Sequence, residues 1–173
     1  MMEKTIKSEI AYQGPFLKVQ RDLVELPDSK TFTREFILHP GAALTICINE
    51  KKEFLVSKQY RHAVGRVVWE FPAGKRDGTE DSLATAHREL REETGLIAED
   101  MDKIGRLHPC VGYANEFIDV FLVTKFKIGP ASPDVGEQIE SEWMSKQRLV
   151  GLINSGELTD GKSLAALTLL MMR

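Results

Sequence analysis

The residues most able to do chemistry cluster between Gly74 and Leu96, where Glu89, Glu92 and Glu93 follow one another within five positions. At 100° per residue, Leu83, Ala86 and Leu90 fall within about 60° and predict a buried stripe. The three glutamates occupy a neighbouring arc about 100° wide, beside that stripe rather than opposite it. Such like charges at i,i+3 and i,i+4 each cost a helix about 0.2–0.5 kcal/mol. They also lie in the half of the helix whose dipole disfavours anions. Two readings accommodate the pattern. One is a solvated face partly neutralised by Arg88 and Arg91; the other is a site where divalent cations, which prefer hard oxygen ligands, neutralise the carboxylates.

The elements that must position this cluster are legible on either side of it. Glu80–Thr94 holds no Pro or Gly and many Ala, Leu, Glu and Arg, and Gly95 stands where a C-terminal cap belongs, so a helix is predicted. Upstream, Lys4–Tyr12, Phe16–Leu26 and Phe32–Leu38 read as strands, separated by turns at Gly14-Pro15 and Pro27–Lys30. Ala42–Ile48 and Glu53–Gln59 flank Asn49–Lys52 in a hairpin pattern, Trp69–Pro72 is short, and Gly74–Thr79 reads as a loop. Downstream, Ile104–His108, Phe117–Phe126 and Ile139–Met144 read as strands, and Lys146–Asn154 and Thr159–Met172 as closing helices. The order predicts one α+β domain over residues 1–173 with helices packed on mixed strands, residues 1–41 forming its N-terminal strands.

The spacing from Gly74 onward is specific. Gly74, five residues, Glu80, seven residues, Arg88-Glu89, Leu90, any residue, Glu92-Glu93, any residue, Gly95 and Leu96 reproduces the signature of the Nudix hydrolases position for position. Seven fixed and two aliphatic positions would coincide by chance with a probability on the order of 10⁻⁷ at average residue usage. The chain therefore resembles that family, which implies an αβα sandwich with a mixed sheet and a loop–helix–loop catalytic motif. It also implies Mg2+ or Mn2+ as cofactor and a nucleoside diphosphate linked to another moiety as substrate. By the same resemblance Glu89 and Glu93 are the main metal ligands, with Glu92 supporting them or binding a further ion and the Ala73 carbonyl joining them. Arg88 would orient a box glutamate, and Glu80 would make a structural ion pair near it.

The flanking segments Gln59-Tyr60-Arg61 and Trp69-Glu70-Phe71-Pro72-Ala73-Gly74 resemble the ADP-ribose and nucleoside-diphosphate-sugar pyrophosphatase branch. That likeness implies that Arg61 contacts the diphosphate, a role suited to a charge-assisted bidentate guanidinium. It further implies that Glu70 helps hold substrate or water and that Arg34 reaches the diphosphate. The branch's general base is a glutamate outside the box, on the loop before the last strand. Glu137 lies in that loop and lines up best; Glu140, which opens the Ile139–Met144 strand, is the second candidate, and Glu92 the third. The branch's proline, sixteen residues past the last box glycine, falls on Val111, with Pro109 two residues earlier. That departure points to several nucleoside diphosphate sugars, ADP-ribose and GDP-mannose included, rather than ADP-ribose alone. Dinucleoside polyphosphates or free nucleotides are the alternative substrates, and a Nudix-fold ligand sensor without catalysis is the alternative class. The branch also implies a homodimer built through the N-terminal strands, with Tyr12, Phe16, Phe32 and Phe36 supplying apolar contact.

Composition narrows the remaining classes. The 173 residues carry a net charge of −3 and 28% charged residues, which suits a globular protein and argues against a nucleic-acid partner. Met1–Ile10 mixes Lys4 and Lys7 with Glu3 and Glu9, with no apolar run behind them, and no apolar stretch is long enough for a membrane. Cys47 and Cys110 lie far apart in no metal-like spacing, the pattern of two thiols in a reducing cytoplasm.

Overall fold

Ala42–Cys47, strand β4, is buried at all six positions, so it must lie inside a sheet covered on both faces. The computed structural model, which describes residues 2–132 and 138–173, shows how this is met. The chain divides into two compact units, one comprising the segment up to Gly41 with His108–Phe117, the other Ala42–Leu107 with Ile118–Arg173.

The first unit is an antiparallel meander of β1 (Lys4–Gln13), β2 (Lys18–Glu25) and β3 (Thr31–Ile37). Every residue of β1 is exposed. The His108–Phe117 excursion is tied to this unit by the Ile37 amide, which donates to the Tyr113 carbonyl at 2.8 Å, and by the His39 amide, which donates to Asn115 Oδ1 at 2.7 Å.

In the second unit β4 runs parallel to β10 (Ile118–Val123) and antiparallel to β7 (Ala73–Lys75), while β9 (Asp102–Leu107) closes the far edge of β10. A second sheet has β5 (Phe54–Arg61) between β6 (Arg66–Glu70) and β12 (Ile139–Met144), and a short ladder joins β8 (Leu96–Ala98) to β11 (Phe126–Ile128). Leu44 and Ile46 point into a core shared with Val56, Phe71, Val120 and Met144, which α2 (Lys146–Asn154) and α3 (Gly161–Met171) complete through Leu149 and Ala166. Ala43 points the other way, against Ala86 of α1 (Ser82–Thr94) and Phe121. Two small residues at that contact let the helix come close to the sheet. Helices thus cover strands on both sides, the α+β sandwich with a mixed sheet expected from the sequence.

Three readings of the sequence change. The turn at Asn49–Lys52 forms, with the Asn49 amide donating to the Glu53 carbonyl at 3.0 Å and Lys52 at φ 62°. It does not make a hairpin, because β4 and β5 share only the Ile48–Phe54 bridge and then enter different sheets. Both edges of β4 are taken by β7 and β10, which leaves no edge for β5. Secondly, Ala73–Lys75, read partly as loop, pairs with β4 as a three-residue strand. Thirdly, Leu83 is 44% exposed and Thr85 is buried in the helix's inner stripe. Thr85 tolerates burial because its hydroxyl lies 2.9 Å from the Asp81 carbonyl and 3.0 Å from the Glu80 carboxylate. Among the described residues no helix is long and apolar enough to cross a membrane.

Candidate active site

The carboxylate helix α1 is fixed at both ends by local chemistry. Asp81 is its N-cap and accepts from the Ala84 amide at 2.8 Å. Gly95 ends it at φ 73°, a left-handed conformation that glycine adopts without a side-chain clash. Leu90 is fully buried with Leu96, Leu55 and Val123, so the glutamates on either side of it are held at the seam between helix and strands.

Arg88 is the hub of that seam. Its Nε donates to Glu80 Oε1 at 3.0 Å, Nη1 to Glu89 Oε1 at 2.8 Å and to Glu92 Oε2 at 3.0 Å, and Nη2 to the Lys75 carbonyl at 3.0 Å. The bond to Arg88 is the largest influence on Glu80 and pulls its carboxyl down to about 2. The Glu80 bond in turn raises Arg88, against the opposing effect of its partial burial. Arg88 therefore stays a cation while three carboxylates of the box converge on it.

Glu89 is pressed against the backbone of β7. A Cβ built on Gly74 would lie 1.9 Å from Glu89 Cδ, so only glycine leaves room for this carboxylate beside the Ala73–Gly74 peptide. Gly74 is needed here for close approach, its φ being ordinary.

A narrow crevice, too tight as it stands to admit a water molecule, lies beside this helix. Arg61, Glu70, Ala73, Glu93, Gln59 and Ile139 line it, contributed by β5, β6, β7, α1 and β12. Register explains the gathering: Ser57, Gln59 and Arg61 alternate onto one face of β5, Glu70 pairs opposite Ser57, and Ile139 pairs opposite Gln59. Arg61 forks onto Glu70, with Nε to Oε1 at 2.8 Å and Nη2 to Oε2 at 2.7 Å. Glu70 is only 4% exposed, and the Lys162 ammonium also bonds to its Oε2, the oxygen that accepts from Arg61 Nη2. Burial works against the Arg61 charge, yet Glu70, Glu93 and Asp160 together hold the guanidinium above its ordinary range.

The donor types around Gly74 fit a hard divalent cation. Glu89, Glu92 and Glu93 offer carboxylate oxygens and Ala73 a carbonyl, the ligand set magnesium and manganese prefer, and the Gly74 gap lets the Glu89 carboxylate sit against β7. Among the described residues no three His, Cys, Asp or Glu side chains already converge as a metal site; Glu89 and Glu92 turn to Arg88 instead.

The other residues singled out from the sequence fall elsewhere. Glu140 points away from the crevice, because Ile139 faces it and alternation turns the next side chain over; it pairs with Lys58 at 2.7 Å and its side chain is 76% exposed. Arg34 belongs to the first unit, where its guanidinium forks onto Glu3 at 2.6 and 3.1 Å. Glu137 lies outside the described residues. Lys162, within the segment read from sequence as the closing helix Thr159–Met172, is joined to the crevice through Glu70. The available signal was a cation in the first turn of a helix, behind the N-cap Asp160, where the dipole disfavours positive charge unless a partner holds it.

Comparison with known proteins identifies the class. Residues 38–167 match the model of the NUDIX domain, so the chain belongs to the Nudix family. Residues 3–37 match the nucleoside diphosphate sugar hydrolase N-terminal domain, which places it among the hydrolases of the ADP-ribose and nucleoside-diphosphate-sugar pyrophosphatase type. It is 31% identical over 173 residues to the ADP-ribose pyrophosphatase of Bacillus subtilis (strain 168), covering 99% of this chain and 94% of that one. It is 33% identical, over the same shares, to the methanol dehydrogenase activator of Bacillus methanolicus. The Mycobacterium tuberculosis ADP-ribose pyrophosphatase is 37% identical over 122 residues, 70% of this chain and 59% of that protein. The fold matches the crystal structure of an ADP compounds hydrolase with a TM-score of 0.85 at 15% identity, over 99% of this chain and 94% of that one.

Proposed function

We propose that this chain hydrolyses the diphosphate bond of nucleoside diphosphate sugars, ADP-ribose and GDP-mannose among them, with Mg2+ or Mn2+ as cofactor. The observation that carries the reading is the crevice, which brings Arg61, Glu70, Ala73 and Glu93 together from four different elements beside the box helix. In the reaction water adds to one phosphorus and the bridging P–O bond breaks, leaving a nucleoside monophosphate and a sugar phosphate. Glu89 and Glu93, with the Ala73 carbonyl and Glu92, would hold the cations. When bound, these neutralise diphosphate charge and polarise its P–O bonds.

The chain's own residues supply the rest. Arg61 presents a planar fork that suits phosphate oxygens as well as it suits Glu70. Arg88 holds the Glu89 and Glu92 carboxylates by hydrogen bonds at 2.8 and 3.0 Å, so both are already aimed to one side of the box helix. For the proton on the attacking water we assign Glu137 as general base. In the sequence it lies between Ser132, whose amide donates to the Glu92 carbonyl at 2.9 Å, and Ile139, which lines the crevice. Glu140, turned onto the Lys58 face, is the weaker candidate.

The N-terminal strands of the first unit serve in this reading as a dimerisation element. A ten-residue strand exposed throughout, with Ile6, Ile10 and Tyr12 each at least 45% exposed and Phe16 exposed just beyond it, is apolar surface suited to a second copy. Light scattering should give about twice 19.5 kDa at micromolar concentration; a 19.5 kDa particle refutes this part.

The test of the activity is a panel of nucleoside diphosphate sugars, dinucleoside polyphosphates and nucleoside triphosphates, each with Mg2+ or Mn2+ and each with EDTA. Monophosphate release from the sugars alone, abolished by EDTA, is the expected result. Faster turnover of triphosphates or dinucleotides, or turnover indifferent to EDTA, overturns it.

A further inference from the structure

Lys162 stands ninety-two positions from Glu70 in sequence and reaches it in the fold. Its backbone is held firmly. Asp160 caps α3 by accepting from the Ser163 amide at 3.0 Å and from its hydroxyl at 2.6 Å, and the Ser163 hydroxyl accepts from the buried Phe71 amide at 2.8 Å. The first turn of α3 is thus bolted to the end of β6, one residue from Glu70. The side chain is 18% exposed, and its ammonium bonds to Glu70 Oε2 and lies 3.0 Å from Asp160 Oδ2.

Glu70 consequently has two cationic partners where one would neutralise it. The second partner has a clear use if Arg61 must serve the substrate. A guanidinium that turns toward a diphosphate gives up N–H bonds to Glu70, and a carboxylate 4% exposed cannot be left without a counter-charge. Lys162 remains when Arg61 turns. Both polar partners of Lys162 are carboxylates of the protein, which distinguishes it from a direct phosphate ligand. We propose that Lys162 is a positioning residue: it holds the Glu70 carboxylate so that Arg61 can be released to the diphosphate of the substrate. The proposal rests on the functional reading above, in which Arg61 meets that diphosphate.

Affinity for ADP-ribose, measured calorimetrically in EDTA, tests this without turnover or metal. Five proteins are needed: the parent, Lys162→Met, Glu70→Gln, the double variant, and Lys162→Arg as the conservative rescue. In the parent background Lys162→Met should weaken binding at least tenfold, because Arg61 becomes the sole counter-charge of Glu70. In the Glu70→Gln background, where no carboxylate retains Arg61, the same substitution should cost less than threefold. Lys162→Arg should stay within threefold of the parent. An equal loss in both backgrounds overturns the proposal, since it marks Lys162 as a direct ligand or a purely structural residue; so does no loss in either. A parent that binds neither ADP-ribose nor GDP-mannose refutes the functional reading itself, and the proposal with it. Circular dichroism melting of each variant identifies one that fails to fold. Should Lys162→Met do so, the cycle is run with Lys162→Gln, and the same two outcomes decide.

Discussion

Replacing Gly74 with alanine tests the site through a residue that carries no functional group. The new Cβ would lie 1.9 Å from Glu89 Cδ and 2.0 and 2.3 Å from its two oxygens. Carbon atoms in contact settle at roughly 3.5–4.0 Å, so the carboxylate has to withdraw by about 1.5–2 Å. Glu89 can do so because only the end of a flexible side chain moves. The fold should therefore survive at a cost of about 1–2 kcal/mol, the lower range for an overpacked position. What is lost is placement: the 2.8 Å bond from Arg88 to Glu89 cannot be kept, nor can the close approach of its carboxylate to Gly74. A misplacement of about 1 Å is enough to cost a reaction on the order of 10²-fold. Gly74→Ala is thus expected to lower kcat by about 10²-fold at saturating Mg2+ and to weaken Mn2+ binding in titration calorimetry, while urea unfolding shifts only modestly. A variant with parental kcat and parental metal affinity would refute the placement of Glu89. A variant that does not fold would refute the claim that Glu89 yields before the backbone does.

The remaining expectations are more direct. Glu93→Gln should lower kcat by orders of magnitude with little change in melting temperature; near-parental turnover removes Glu93 from the metal set. Glu137→Gln should lose about 10²–10⁴-fold in kcat, the usual scale of general base catalysis, whereas Glu140→Gln, on the Lys58 face, should turn over like the parent; the reverse outcome moves the base to Glu140. Glu80 is held near 2 against an ordinary 4.5, so its bridge to Arg88 contributes fully above about pH 4.5 and is lost as pH falls toward 2. After solvent screening we expect Glu80→Gln to cost about 1–2 kcal/mol near pH 6. Urea titrations should show that deficit shrinking as pH falls from about 4.5 toward 2, and a deficit constant with pH would refute the assignment.

The box was legible because a helix converts spacing into position. Glu89, Glu92 and Glu93 sit within one turn, and their common face follows from 3.6 residues per turn whatever the rest of the fold does. Gly95 and the helix it ends were likewise local matters of capping. The Asn49–Lys52 turn shows where local reasoning stops. Its hydrogen bonds form as composition predicts, yet whether two flanking strands pair depends on what else competes for their edges, and β7 and β10 compete for β4. The three-residue strands β7, β8 and β11 are too short for alternation to register.

Arg61, Glu70 and Lys162 mark the same boundary inside the site. Arg61 and Glu70 were each found by resemblance, as residues with separate duties toward substrate. That they neutralise one another follows from the β5–β6 register, which puts Ser57, Gln59, Arg61 and Glu70 on one face. Lys162 had only an ill-placed charge in a first helical turn to distinguish it. The pairing has a consequence for how the crevice meets an anion. A lone buried arginine would attract a diphosphate but would also carry an unbalanced charge in its absence. Here Arg61 is balanced by Glu70 before substrate arrives, and Glu70 is balanced by Lys162 after Arg61 turns. Charge compensation at each stage keeps the crevice stable on its own and still able to bind. The cost is competition between Glu70 and substrate for Arg61, so loss of the Glu70 charge and loss of Lys162 should shift affinity in opposite directions.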